Sequence, residues 1–396
     1  MRPSIWSTCF VFVIGCSSTP STTEGPSGGG GKADGPGTVP DTGTWTREVV
    51  TSNAELWNGG PVGWGAGTSI AVRQDGHAII AYYDATNRCN NGGFGTYSPD
   101  TLEVARFTAS GWKSTIEACG PYAGYWPRMR VDSSDRTHLV FGAGWWSAGP
   151  QRAFYVSWDA SDKRDTWNPF DSAYMSAGSI AITLDDMDAP ILVSDGALVA
   201  ADGTKTRIFA DDTSQTFVET DAAGTLHVAA TTMIADSPTM STGRLRYARR
   251  DATGVTIETP RTAPVATPLG LALDSAGVPH LLSWNPATMG GGELWHSTRT
   301  DTGWVDELIA TDIYQPTAAM AVGANDELLV VAPGRLYRRA ATATSWTATP
   351  ATDLSSASYP SVAIAPDGTL HVAFEIVGPI MSNSVSRASV YHVAFH

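Results

Sequence analysis

The sequence predicts an all-β chain, a seven-bladed β-propeller with ring closure by an N-terminal outer strand. Three observations predict it. One hairpin pattern recurs seven times, a second hairpin follows most copies, and the two ends of the chain supply complementary parts of a single blade.

The recurring stretch is clearest in "SVAIAPDGTLHVAFEIV", which begins at Ser361. Counterparts begin at Ser69, Arg128, Ser179, Thr216, Leu269 and Ala318. Each copy alternates apolar and polar residues, turns at Asp/Gly-type residues and alternates again, which is the signature of a hairpin. Segments such as "TLEVARFTASGWKSTIEA", "RLRYARRDATGVTIET" and "ELWHSTRTDTGWVDELIA" then give a second hairpin. Four strands per repeat, at a spacing of about 40–60 residues, read as propeller blades. The third copy is worn, and its third strand is reduced to about "ALVA".

The ends complete the argument. After the seventh copy, "SRASVYHVAFH" gives a third strand and the sequence stops at His396. At the other end, "GTWTREVVT" (residues 43–51) matches the outer strands "GWVDELIAT" and "GWKSTIEAC". It is therefore expected to be the fourth strand of the last blade, leaving no open edge in the ring. A pair of β-sandwiches is the alternative architecture, and it does not explain the complementary ends.

Composition agrees. The chain has 396 residues, 42% hydrophobic and 16% charged, with 40 Gly and 14 Trp. That supports a large core built from short strands and many turns. A net charge of −14 argues against nucleic acid or anionic lipid headgroups as partners.

The first residues read as a targeting signal. "MRPSIWSTCFVFVIGC" has a basic start, a short apolar run and a small-residue ending, and the run is too short to span a bilayer. "VIGC" (residues 13–16) resembles a bacterial lipobox. The resemblance implies a signal peptide over 1–15, lipidation at Cys16, and, with Ser17 next, sorting to the outer membrane. Residues 16–43 are rich in Gly, Ser, Thr and Pro, and read as a flexible tether reaching about 30 Å as a coil. The folded domain is assigned to 44–396. Outside the signal and lipobox only Cys89 and Cys119 remain, and in an exported chain such a pair is most simply a disulfide.

The repeats also resemble bacterial propellers of the BNR/Asp-box type, related to the sialidase superfamily. "TRTDTGW" (residues 298–304) keeps Asp301, Gly303 and Trp304 of that turn motif, with Trp coming two steps too early, and "FTASGW" (residues 107–112) keeps only Gly and Trp. The resemblance implies the fold. The arginine triad, Tyr/Glu pair and aspartate of sialidases cannot be placed here, so it does not imply sialidase activity.

His371 has equivalents at His138, His227 and His280, one strand out from the axis on separate blades. Residues so placed cannot converge on one metal, so each is expected to hydrogen-bond within its own blade. On the innermost strands a small residue recurs at Ala71, Ala272, Ala321 and Ala363, while Arg130, Thr183 and Glu219 replace it in three blades. They read as solvated groups in a central channel or as a polar wall of a binding site.

The loops joining second to third strands, and outer strands to the next blade, share one face and carry the candidate site. Asp84, Arg88, Trp126, Arg128, Trp145, Trp146, Trp284 and Glu375 fall there. Aromatic rings beside Asp, Glu and Arg suit sugars, because rings stack on C–H faces while polar groups take hydroxyls. The expected function is binding of a glycan or an envelope protein by a monomeric, lipid-anchored propeller. The alternative is a polysaccharide-degrading hydrolase or lyase, for which Asp84, Glu375, Tyr82 or Tyr83 and Arg128 would have to converge. No HExxH, GxSxG or P-loop pattern is present, and no cofactor or metal is expected. "DDMD" (residues 185–188) resembles a calcium loop only in its charge.

Overall fold

The computed structural model describes residues 38–40, 43–57, 67–85, 100–120, 123–143, 152–170, 180–200, 203–211, 213–237, 240–261, 266–286, 291–313, 317–380 and 385–396. Strand β1 (Trp45–Trp57) opens the chain order. Blade 1 is β2 (Thr68–Val72), β3 (Ala78–Asp84), β4 (Asp100–Thr108) and β5 (Gly111–Gly120). Blade 2 is β6 (Tyr125–Val131), β7 (Thr137–Ala143), β8 (Arg152–Trp158) and β9 (Arg164–Phe170). Blade 3 is β10 (Ile180–Leu184), β11 (Pro190–Ser194), β12 (Ala197–Val199) and β13 (Lys205–Arg207). Blade 4 is β14 (Thr213–Thr220), β15 (Leu226–Ser237), β16 (Met240–Asp251) and β17 (Gly254–Glu258). Blade 5 is β18 (Thr267–Leu273), β19 (Pro279–Pro286), β20 (Gly292–Thr300) and β21 (Gly303–Ala310). Blade 6 is β22 (Ala319–Val322), β23 (Leu328–Ala332), β24 (Arg335–Arg339) and β25 (Thr347–Pro350). Blade 7 is β26 (Ser358–Ile364), β27 (Leu370–Ile380), β28 (Val385–Phe395) and, from the other end of the chain, β1.

Ring closure is as the sequence predicts. β1 runs antiparallel to β28, with Trp45 opposite Phe395 and Glu48 opposite His392. Consecutive inner strands neighbour one another all the way round, including β26 beside β2.

Burial explains the strand patterns. The second strands are covered on both faces by adjacent blades, so β3 reads "AIIAYYD" and is buried throughout. The outer strands have one side in water, so β5 and β21 alternate partly buried and exposed positions. The core is a ring of inter-blade clusters. One joins Ile70, Ile80 and Tyr82 of blade 1 to Ala373 and Val390 of blade 7. Another joins Leu329, Val331 and Leu336 of blade 6 to Val372, Phe374 and Phe395 of blade 7.

The four histidines sit as expected. His138 Nε2 donates to Asp132 at 3.2 Å while Tyr155 Oη lies 2.8 Å from Nδ1. His227 repeats this with Asp221 and Tyr247. In blades 5 and 7 a second histidine replaces the tyrosine: His280 meets His296 at 3.0 Å, and His371 meets His392 at 2.9 Å. The acidic turn of blade 3 is also used structurally. Asp185 accepts from the Met187 and Ala189 amides, and Asp188 accepts from Ser133 of blade 2.

The tether ends earlier than composition implies. Val39 is buried among Leu329, Leu336, Leu354 and Leu370. Arg338 donates to the carbonyls of Val39 (2.7 Å) and Pro40. Gly368 has no room for a side chain, because a Cβ there would collide with the Thr38 carbonyl oxygen. One apolar residue in a polar segment carried too little pattern to reveal this docking.

Candidate functional site

The first-to-second and third-to-fourth strand turns share one face, here the lower face. The other connections share the upper face. Inner strands run from upper to lower, so residues two apart form stacked levels around the axis.

A cavity of about 430 Å³ follows these levels. Gly67, Trp126, Gln215 and Tyr359 line its upper end. Ser69, Arg128, Phe217 and Ser361 line the middle. Arg130, Glu219, Ala272 and Ala321 line the level nearer the lower face. There Arg130 of blade 2 pairs with Glu219 of blade 4, past the inner strand of blade 3.

The upper level owes its shape to bulges. The ladders slip between Tyr125 and Arg128, between Ser214 and Phe217, and between Ser358 and Ser361. Each slip contains a non-glycine residue in the left-handed region: Trp126 (φ 48°), Gln215 (φ 51°) and Tyr359 (φ 50°). That conformation costs a side-chain-bearing residue on the order of 1 kcal/mol. Three blades carry it at one level, and all three residues line the cavity. Bulges re-aim side chains in this way beside functional sites.

Arg128 is the charged residue of the middle level. Its Nη1 donates to the Pro127 carbonyl at 3.2 Å, and its guanidinium lies 5.1 Å from the Phe217 ring. Its Nε has no partner, and no carboxylate pairs with it among the described residues. Burial, aided by the neighbouring charge of Arg130, lowers its pKa to about 10.

Glu375 and Asp84 are fully buried behind the wall and do not line the cavity. Glu375 lies opposite Ser358, beside the Tyr359 bulge. Burial raises its pKa to about 8, the charge of Asp84 adds to the rise, and the Gly67 amide opposes it. Tyr359 is raised to about 12, by burial first and by Glu375 second. Tyr82 is taken up within its blade, donating to Glu103 at 2.6 Å.

The structure thus buries Asp84 and Glu375 behind the wall, with Glu375 in reach of the charge of Asp84, and places Trp126 and Arg128 in the cavity. Trp284 stands elsewhere, donating through Nε1 to the Ile313 carbonyl at 2.9 Å. Arg88, Trp145, Trp146, Cys16 and Cys89 lie outside the described residues. Cys119 sits near the end of β5, opposite Thr101. The sequence reading missed Gln215, Phe217 and Tyr359. Counting back two positions from Arg130 and Glu219 reaches Arg128 and Phe217, which was the available signal.

No protein-family model matches the chain, and no curated protein matches it. Solved structures do. An α-L-arabinanase of Penicillium chrysogenum, solved with arabinobiose, is 12% identical, with a TM-score of 0.52 over 88% of this chain and 98% of that one. The GH93 α-L-arabinofuranosidase of Fusarium graminearum is 12% identical, with a TM-score of 0.47 over 86% of this chain and 98% of that one. At these identities the arabinanase likeness shows the fold alone.

Proposed function

We propose that this protein is a lipid-anchored, extracytoplasmic β-propeller that binds a glycan from its upper face, in the axial cavity. The carrying observation is the level formed by Trp126, Gln215 and Tyr359, three left-handed bulge residues that line one cavity. Strain repeated in three blades at the rim of a pocket is what a preorganised site requires. Two rings supply stacking faces and Gln215 supplies an amide for hydroxyls. Arg128, which meets no carboxylate among the described residues, favours a glycan bearing an anionic group. The fold likeness to glycan-active propellers is compatible with this reading.

In this reading Cys16 carries the anchor, in the outer membrane, on its periplasmic or outer side. Cys119 bridges Cys89, whose loop leaves Ala85 and returns at Asp100, one ladder position from Thr101–Cys119. The protein acts as a monomer without a metal or other cofactor.

The second reading is a polysaccharide-degrading enzyme. The raised pKa of buried Glu375 favours it, since a carboxyl held protonated by burial can serve as a general acid. Glu375 and Asp84 both lie behind the cavity wall, however, so binding is the conclusion drawn. A glycan array probed with the purified protein tests it, followed by titration of the best glycan against Trp126→Ala. Binding weakened at least tenfold by the variant supports the reading. Release of new reducing or unsaturated ends from the bound glycan would overturn it in favour of the enzyme.

A further inference from the structure

Residues 38–40 pack against the lower face of the propeller. Val39 fills the seam between blades 6 and 7 and is 1% exposed. Arg338, itself paired with Glu327 at 2.9 Å, holds the Val39 carbonyl. The Thr38 carbonyl sits over Gly368 in the first-to-second strand turn of blade 7. Gly368, Glu327 and the chain end at His396 all belong to the lower face, and Thr44 exchanges backbone hydrogen bonds with His396 there. Trp126, Gln215 and Tyr359 belong to the opposite end of the same inner strands.

We propose that Thr38–Pro40 is a docking plug that sends the anchor segment out from the lower face. The lower face is then turned to a lipid bilayer, and the mouth of the cavity points away from it. This orientation rests on the lipid-anchor reading of Cys16, whereas the exit face does not. A plug bonded by a buried arginine prevents the segment from starting anywhere else.

The test uses the full lipidated chain in vesicles containing a nitroxide-labelled lipid. A fluorophore is attached through Met187→Cys on the lower face, where Met187 is 80% exposed, or through Thr311→Cys, exposed just past the upper end of β21. Label uptake by the unsubstituted chain sets the background. Quenching at position 187 at least twice that at 311 is expected, and equal or reversed quenching would overturn the orientation. With Arg338→Ala the two sites should converge.

Labelling with radioactive palmitate reports separately on Cys16. If no label enters, the anchor reading fails and the exit face is still decided by hydrogen exchange. A Val39 amide protected at least tenfold more than in Arg338→Ala supports the plug. An amide as fast in the unsubstituted chain as in the variant overturns it.

Discussion

Glu48 and Trp112 belong to different blades, yet the Trp112 indole N–H donates to Glu48 Oε2 at 2.9 Å. The same oxygen lies 3.1 Å from His392 Nδ1. The carboxylate accepts, so that ring nitrogen carries the proton, and His392 Nε2 is left to accept from His371. A single line of groups thus runs from the second strand of blade 7 to its outer strand and on to blade 1. The plan recurs elsewhere. In blade 5, His280, His296 and Glu307 form the line, ending on Arg339 of blade 6. Trp304 of blade 5 reaches back to Glu258 of blade 4 at 2.6 Å. The tryptophans of the Asp-box-like turns are therefore inter-blade clasps.

The clasp predicts a closure-specific loss of stability. Glu48→Ala removes the acceptor of two donors and leaves the buried His392 N–H without its partner. A cost of about 1–3 kcal/mol is expected. Urea unfolding should show a lower midpoint, and amide exchange should quicken first in β1 and β28. A uniform change across all blades would count against the clasp.

The histidine pairs predict acid sensitivity. Burial lowers the pKa of His371 and of His296 to about 3, with a neighbouring histidine adding to the effect in each. Their usual value is about 6.5. Between those values the unfolded chain binds more protons than the folded one, so stability falls as pH drops from about 6.5 towards 3. Thermal unfolding of His371→Leu, set beside the unsubstituted protein, should show a flatter dependence over that window. Blades 1, 3 and 6 already carry Ile79, Ile191 and Leu329 at this position, so the apolar side chain can be packed.

Much of this was legible in the sequence, for a reason these residues make plain. A repeated position can be compared with itself, and His371 beside Ile79 and Leu329 reads as packing rather than chemistry. The complementary ends revealed closure for the same reason. The upper cavity level was not legible, because a bulge breaks the period of two just where Trp126, Gln215 and Tyr359 turn inward. Val39 was hidden by its polar neighbours. Glu375 stands out in the sequence as a candidate ligand residue, but nothing in "HVAFEIV" states that its carboxyl is buried behind the wall rather than open to a ligand.

That burial predicts an alkaline loss. Glu375, raised to about 8, is protonated in the folded state at pH values where the unfolded chain has already ionised it. Its favourable contribution is complete below about 4.5 and is lost as pH rises through 8. Glu375→Gln keeps the shape and abolishes the ionisation. The variant should match the unsubstituted protein near pH 4.5 and gain on it up to about pH 8, by as much as about 1.4 kcal/mol per unit. Parallel stability curves for the two proteins would show that the carboxyl is not held neutral.

The strained rim predicts a trade between stability and binding. Gln215 holds φ at 51° in the bulge of β14 and has only part of its surface buried, so little packing depends on its side chain. Glycine adopts that conformation without the steric cost, at the expense of a freer unfolded chain. Gln215→Gly should therefore leave stability unchanged or raise it by up to about 1 kcal/mol, while binding of the array-selected glycan weakens several-fold. Gln215→Ala removes the same amide but keeps the strain, so it should bind as weakly as the glycine variant and be the less stable of the two. Denaturant midpoints and titration calorimetry on the three proteins separate these outcomes. If both variants bind as the unsubstituted protein does, the rim residue takes no part in recognition, and its strain needs another cause.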